Sequence, residues 1–247
     1  MTTNPVDQAR RLTRDRFPGA LSVVLAGSAA SGRATGLSDL DIPVLVGDGG
    51  ETYRETVRFE GRVVELFVHT PTGLADLFAA DVRARRGVLQ SMYATGLVLA
   101  DTDGAAGRAR ALAEADLCAG PPPLDPATVE TKRYGLTDAL DDLVGAADRA
   151  ERLAVAGSVF NAAADLLLDH HRAWTGTGKW LPRRLLQADP RRGAALIDGH
   201  LRVGASGEPA GLAEAAAEVL SLTGGPLREG YRRTWQGTID SIGAAGR

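Results

Sequence analysis

Short apolar runs alternate with amphipathic stretches along the first half of the chain. The apolar runs are typical of strands, and they lie at 21–26, 39–46, 53–59, 62–69 and 96–100. Glu60-Gly61 separates two of these runs and predicts a hairpin turn. Apolar residues at helical spacing predict helices at 5–17, 70–82 and 105–118. Residues 27–37 predict a turn that opens into a short helix, and 88–94 fit neither pattern.

The second half of the chain has no strand pattern. A proline-rich segment, 121–126, marks the boundary because consecutive prolines cannot continue a helix. Helical spacing then predicts helices at 127–146, 148–174, 181–187, 190–202, 209–222 and 226–243. The predicted fold class is α+β: a domain at 1–120, with a short mixed sheet flanked by helices, then an all-α helical bundle at 127–247.

Composition and charge argue against several classes of protein. The chain has 247 residues and a net charge of −3, and proteins that bind long nucleic acids are usually basic, so no such partner is expected. No apolar run approaches the ~20 residues that cross a membrane, and the N-terminus shows no signal peptide. Cys118 is the single cysteine and cannot form an internal disulfide. These features predict a cytoplasmic protein without a membrane partner.

Two acids lead into the second apolar run, and a third interrupts a later one. Asp39 and Asp41 are two residues apart, so their side chains share one face of a strand. Two carboxylates ~5 Å apart repel each other by roughly 3 kcal/mol at an effective dielectric of about 20, and a cation would relieve this repulsion. Glu65 lies on a partly apolar strand face, which is a functional hint. Carboxylate oxygens suit Mg²⁺, and the Gly27-Ser28 turn offers N–H groups and a hydroxyl to phosphate.

Each of these residues also has a purely structural interpretation. Asp39 would cap a turn, and Asp41 would be an exposed residue at a strand edge. The combination is more specific than its parts, because a strand, Gly-Ser, ten residues, Asp-x-Asp, a strand and a later strand with a central Glu occur in that order. Pro43 predicts an edge or bulged strand, since proline has no N–H to donate to a sheet.

The segment 21–68 resembles the signature of the DNA polymerase β-like nucleotidyltransferase superfamily. The matching residues are Leu25-Ala26-Gly27-Ser28, Ser38-Asp39-Leu40-Asp41-Ile42 and Val64-Glu65-Leu66. A domain of this kind followed by helices is also similar to the antibiotic (aminoglycoside) nucleotidyltransferases, a resemblance that rests on architecture and a few positions. The resemblance implies a transferase of the adenylyltransferase type, with antibiotic resistance as its role.

The resemblance also implies a mechanism with ATP, or another nucleoside triphosphate, as co-substrate. Asp39 and Asp41 would hold Mg²⁺, and Glu65 would either complete a second metal site or take the proton from the attacking hydroxyl. The residues implied to bind the nucleotide are Gly27, Ser28 and Ser38. A small hydroxylated acceptor would receive the nucleotidyl group, and pyrophosphate would leave. Whether a second subunit completes the site, as in a homodimer, stays open.

A polar stripe follows the long predicted helix at 148–174. Its members recur at three- and four-residue steps and are Ser158, Asn161, Asp165, Asp169 and Arg172. A solvated helix face would show the same pattern. The functional interpretation is an acidic wall that binds a polycationic acceptor or supplies the base, with Asp165 and Asp169 as the candidates.

Lys179 is one of only two lysines in the chain. Its segment, 175–180, is not a P-loop, because Trp180 stands where a P-loop has Ser or Thr and the segment follows a predicted helix. A compact ammonium suits a triphosphate, and the antibiotic enzymes that the chain resembles bring a lysine from the helical domain to the phosphates. Lys179 is therefore the candidate phosphate-binding residue of the helical half.

Three functions compete at this point. The first is Mg²⁺-dependent transfer of AMP from ATP to a small acceptor, such as an aminoglycoside-like antibiotic. The second is the same chemistry on a macromolecule, a tRNA or a protein, and the negative charge disfavours tRNA. The third is a non-catalytic nucleotide-binding regulatory protein, which has no need for the third carboxylate, Glu65.

Overall fold

The computed structural model describes residues 4–36 and 38–234. The chain divides into two compact units, one formed by Met1–Pro123 and Arg172–Arg184 and the other by Leu124–His171 and Leu185–Arg247. The predicted α+β class is confirmed. The domain limits 1–120 and 127–247 stay a prediction, but the segment with Lys179 belongs to the first unit and not to the helical one.

A five-stranded mixed sheet forms the centre of the first unit. Its strands are β1 (Ser22–Leu25), β2 (Leu40–Leu45), β3 (Tyr53–Phe59), β4 (Arg62–His69) and β5 (Leu97–Asp101). Their order in the sheet is β3-β4-β2-β1-β5. The β2–β4 pair is parallel, and the other three pairs are antiparallel. The predicted hairpin is therefore confirmed as β3–β4, and its second strand brings Glu65 beside β2.

Helices cover both faces of this sheet. They are α1 (Pro5–Arg16), α2 (Gly27–Ala30), α3 (Pro71–Arg83), α4 (Val88–Thr95) and α5 (Ala105–Ala119). One face packs on α1 through alternate apolar residues, which include Ile42 of β2 and Leu66 of β4. The other face packs on α3, α4 and α5. Because strand side chains alternate, Asp41 and Glu65 lie on the face opposite α1.

Pro43 was expected to mark an edge strand or a bulged strand, and the edge alternative is wrong, because β2 lies between β4 and β1. The β2–β4 ladder is continuous along all of β2. The β1–β2 ladder instead stops at Val44 and resumes as a single bridge between Ala26 and Asp41. The missing N–H of Pro43 coincides with this gap, so the proline is accommodated by an interrupted ladder inside the sheet.

The second unit is helical. Its helices are α6 (Pro126–Gly145), α7 (Arg149–His170), α9 (Pro190–Ser206) and α10 (Ala210–Leu222), and α8 (Trp180–Ala188) contains residues of both units. Aspartate side chains accept a backbone N–H at the starts of α6, α7 and α9, as N-caps do. The helix α7 packs against α6, α9 and α10 and buries Leu166, Leu167 and Leu168. In the part of the chain that the structure describes, no helix combines the length and the apolar character needed to cross a membrane.

Two helix predictions differ from the structure. The helix α7 ends at His170, so Arg172 lies beyond the polar stripe to which it was assigned. The helix predicted at 226–243 is wrong for residues 226–234, and its remainder lies outside the described residues. Tertiary hydrogen bonds hold the chain where this segment begins: Arg133 donates to the carbonyls of Gly224 and Gly225, and the Leu227 N–H donates to the Thr137 hydroxyl.

Candidate functional site

Three carboxylates meet at one end of the β2–β4 pair. Asp41 and Glu65 are partners in the parallel register, and Asp39 comes just before β2 on the same side as Asp41. One ligand oxygen from each of the three side chains lies within 4.8 Å of the others. Asp39 is exposed, and the other two are half-buried. The structure thus brings together the three acids that the sequence nominated from separate segments.

Burial and mutual repulsion act on the central carboxylate. They raise the pKa of Asp41 to about 6, first by desolvation and then through the charges of Asp39 and Glu65, while Lys179 and Arg54 oppose the rise. A cation among the three carboxylates would remove this repulsion. The donor set fits Mg²⁺, because all three ligands are carboxylate oxygens and such oxygens are what this ion binds in proteins.

Gly27 makes room for the Asp41 carboxylate. The Ala26 N–H donates to the Asp41 carbonyl at 2.8 Å, which holds the Gly27-Ser28 turn against β2. Gly27 has φ +67°, and a Cβ built on it would lie 2.2 Å from Asp41 Oδ2. The glycine is therefore required both for the left-handed backbone and for the close approach. Ser28 is half-buried at the next position, one residue from this contact.

The loop before Asp39 is held by its own hydrogen bonds and by an arginine. The Ser38 Oγ accepts the Thr35 N–H at 2.9 Å, so this hydroxyl stabilises the turn. Arg62, at the start of β4, donates to the Ser38 carbonyl at 2.7 Å and to the Thr35 carbonyl at 3.2 Å. Gln8 Oε1 on α1 accepts from Arg62 Nε at 3.2 Å. Arg62 was not predicted from the sequence, because an arginine at the edge of a strand gives no local signal of such a role.

Lys179 is exposed and belongs to the same compact unit as the three carboxylates. Its charge lowers the pKa of Asp41, so it contributes positive potential to the cluster. Two anchors fix the preceding residues: the Thr175 N–H donates to the Arg85 carbonyl at 2.8 Å, and Trp174 Nε1 donates to the Leu117 carbonyl at 3.3 Å.

Arg54 is a second basic residue at the cluster, and it was not predicted from the sequence. Its Nη2 donates to Glu65 Oε2 at 2.6 Å, across the β3–β4 hairpin. Its guanidinium also lies over the Phe67 ring, 4.8 Å from the centroid. A signal did exist in the hairpin register, since Arg54 is diagonal to Glu65, but that register is known only once the turn is placed.

Comparison with known proteins finds solved structures that resemble this chain. A nucleotidyltransferase-like protein from Exiguobacterium sibiricum 255-15 is similar over 88% of this chain and 74% of its own, with 12% sequence identity and a TM-score of 0.45. No protein-family model and no curated protein matches the chain significantly. The function proposed below therefore rests on the residues of this chain.

The two acids predicted to bind the acceptor lie in the second unit, on α7. Asp169 is buried and forms an ion pair with Lys132 of α6, with Nζ to Oδ2 at 2.5 Å. The pKa of Asp165 is raised, chiefly by desolvation, and the Lys132 charge opposes this rise. Lys132 thus neutralises part of the acidic stripe, so the described residues present less negative charge here than the sequence suggested.

Proposed function

We propose that this protein is an Mg²⁺-dependent nucleotidyltransferase that transfers AMP from ATP, or a nucleotidyl group from another triphosphate, to a hydroxyl of a small acceptor. The single observation that supports this most is the approach of Asp39, Asp41 and Glu65 within 4.8 Å beside the Gly27-Ser28 turn. A protein that only binds nucleotide has no need to concentrate three carboxylates against their own repulsion.

Asp39, Asp41 and Glu65 are the residues that would hold the metal. When bound, Mg²⁺ supplies positive charge that offsets the negative charge developing on the transferred phosphoryl group. The Ser28 hydroxyl and neighbouring backbone N–H groups bind phosphate oxygens, and Lys179 adds a compact positive charge to them. These groups hold the α-phosphorus in line between the acceptor oxygen and the leaving pyrophosphate.

The chemical step forms one bond and breaks one. The acceptor hydroxyl oxygen bonds to the α-phosphorus, and the bond from that phosphorus to the bridging oxygen of the β-phosphate breaks. The electron pair of the broken bond leaves with pyrophosphate. The hydroxyl proton passes to a carboxylate, for which Glu65 is a candidate alongside its other role as a metal ligand.

The acceptor is proposed as a small hydroxylated molecule, and aminoglycoside-like antibiotics are the first class to examine. Asp165 remains the better candidate to bind an amino group of such an acceptor, because Asp169 already pairs with Lys132. A macromolecular acceptor, tRNA or protein, is the alternative with the same chemistry.

A pyrophosphate-release assay tests the proposal. Purified protein is incubated with Mg²⁺, each of the four nucleoside triphosphates in turn, and a panel of hydroxylated small molecules. Stimulated release that EDTA abolishes and that Asp39→Asn lacks would support the proposal. Labelled ATP incubated with cell extract then shows whether the label enters small molecules or macromolecules. Nucleotide binding without turnover in both assays would indicate a regulatory protein instead.

A further inference from the structure

Arg54 contacts the carboxylate cluster through an ion pair with Glu65. In the β3–β4 register Thr56 is the partner of Glu65 and Arg54 is the partner of Phe67, so Arg54 reaches Glu65 diagonally. Its Nη2 lies 2.6 Å from Glu65 Oε2, and its guanidinium stacks on Phe67. The ring and the carboxylate belong to one strand face, so together they fix the guanidinium beside the cluster.

The two partners of this ion pair differ in their exposure to solvent. The Arg54 side chain is 60% exposed, whereas the Glu65 side chain is 22% exposed. The more exposed guanidinium therefore contacts the more buried carboxylate. A divalent cation that binds all three acids needs the same carboxylate and meets a positive charge next to it.

We propose that Arg54 is a built-in counter-cation that competes with a divalent metal ion for Glu65 and so lowers the metal affinity of the Asp39–Asp41–Glu65 cluster. This inference rests on the proposed metal site. Arg54 is a positioning residue, because its ion pair with the cluster is made to Glu65 and it does not itself bind the metal. Its consequence is a cluster in which the charge of Glu65 is partly compensated without metal and which binds the ion weakly until a triphosphate adds further ligands.

The test measures Mn²⁺ binding to the full chain by electron paramagnetic resonance, without nucleotide or acceptor. We expect Arg54→Gln to bind Mn²⁺ about three- to tenfold more tightly than the unmodified protein, because it removes a partly screened charge next to the ion. Arg54→Lys keeps the positive charge, so its Mn²⁺ affinity should stay within about twofold of that of the unmodified protein.

Arg58→Gln is the matched control. Arg58 lies on the same strand and the same face as Arg54, but it donates to the Gly61 carbonyl at 3.3 Å instead of to the cluster. Its substitution changes the net charge by the same amount as Arg54→Gln. Because Arg58 does not contact the cluster, Arg58→Gln should change the Mn²⁺ affinity by less than about twofold. An equal gain in affinity from Arg58→Gln would reduce the Arg54 effect to net charge and overturn the proposal.

A double-mutant cycle with Glu65→Gln measures how much of the effect of Arg54 on Mn²⁺ affinity depends on Glu65. The gain from Arg54→Gln should fall below about twofold when Glu65 has lost its charge. A gain of the same size in both backgrounds, or a loss of affinity in Arg54→Gln, would overturn the proposal. If the unmodified protein binds Mn²⁺ and Arg54→Gln is unchanged, only this inference fails. If neither binds Mn²⁺, the proposed metal site fails with it.

Discussion

Asp41 and Glu65 face each other as direct partners in the parallel ladder between β2 and β4. Neighbouring strands lie about 4.8 Å apart, so the backbone itself keeps the two carboxylates close. Rotation of the side chains relieves the repulsion only in part, because Asp39 is on the same side and the surroundings of Asp41 are partly desolvated. The electrostatic cost is therefore a property of the sheet register, and a bound cation is the simplest means of offsetting it.

Replacing Asp41 with Asn should remove activity and leave folding intact. We expect a loss of at least about 10²-fold in the rate of pyrophosphate release, because a charge that supports the transition state is lost. Without metal the variant should be as stable as the unmodified protein or more stable, since the repelled carboxylate is gone. Urea unfolding in EDTA and the release assay measure the two effects.

Asp48→Asn is the control for this substitution, since Asp48 is an exposed acid a few residues beyond β2. Asp48→Asn should change neither the rate of pyrophosphate release nor the free energy of unfolding appreciably. Full activity in Asp41→Asn would refute the assignment of Asp41 as a metal ligand.

Gly27→Ala should destabilise the protein and distort the cluster. The residue has φ +67°, and the new Cβ would lie 2.2 Å from Asp41 Oδ2, so the backbone or the carboxylate must move. We expect a loss of about 2–3 kcal/mol in the free energy of unfolding. Gly49→Ala is the control, because Gly49 has no positive φ and a Cβ added there would meet nothing within 4 Å. Equal urea midpoints for both variants would contradict the steric interpretation.

The sequence pattern was sufficient to predict the strands and the three acids of the site. The pairing of β2 with β4 could not be predicted from this pattern. The strand β3 lies between them along the chain, and parallel pairing has no local sequence signal. The resemblance to a known signature supplied only a role for Glu65 at the metal site, and the structure shows Glu65 as the partner of Asp41 in the β2–β4 register. Arg54 was not predicted, because the sequence pattern of an exposed strand face is the same whether its charged residue is solvated or forms an ion pair.

The helix α4 shows why another element stayed ambiguous. Its N-terminal capping group comes from α3, since Asp81 Oδ2 accepts the Leu89 N–H at 2.9 Å. The residue at the N-cap position itself is Gly87 in the left-handed conformation, which gives no side-chain cap. The helix is thus specified by a tertiary contact, and no local start signal was available to predict it.

Arg62→Gln should loosen the loop that leads to Asp39. The substitution removes hydrogen bonds to the carbonyls of Ser38 and Thr35, and we expect a loss of about 1–2 kcal/mol in the free energy of unfolding. Mn²⁺ affinity should also fall by about threefold or more, because Asp39 is no longer held in place. Arg58→Gln removes a neighbouring arginine without touching this loop and should preserve the affinity. Unchanged affinity in Arg62→Gln would show that Arg62 serves stability alone.

His69 should make the stability of the protein fall in mild acid. Burial lowers the pKa of His69 to about 4, from 6.5 in an unfolded chain. Between these values the unfolded state binds more protons than the folded state, so stability is lost as pH falls from 6.5 towards 4. From pH 7 to pH 5 the expected contribution is a loss of about 2 kcal/mol. Asp41, whose pKa is raised to about 6, contributes with the opposite sign over part of this range.

Two variants separate the His69 contribution from that of Asp41. His69→Gln lacks the titrating group, so its free energy of unfolding should depend less on pH by about 2 kcal/mol between pH 7 and pH 5, while the Asp41 contribution is common to both proteins and cancels. Tyr93→Phe removes the hydroxyl that lies 3.3 Å from His69 Nδ1 but keeps the ring that buries it. Because desolvation causes the shift, Tyr93→Phe should retain the pH dependence of the unmodified protein. If Tyr93→Phe instead behaves like His69→Gln, the hydrogen bond and not burial governs the titration of His69.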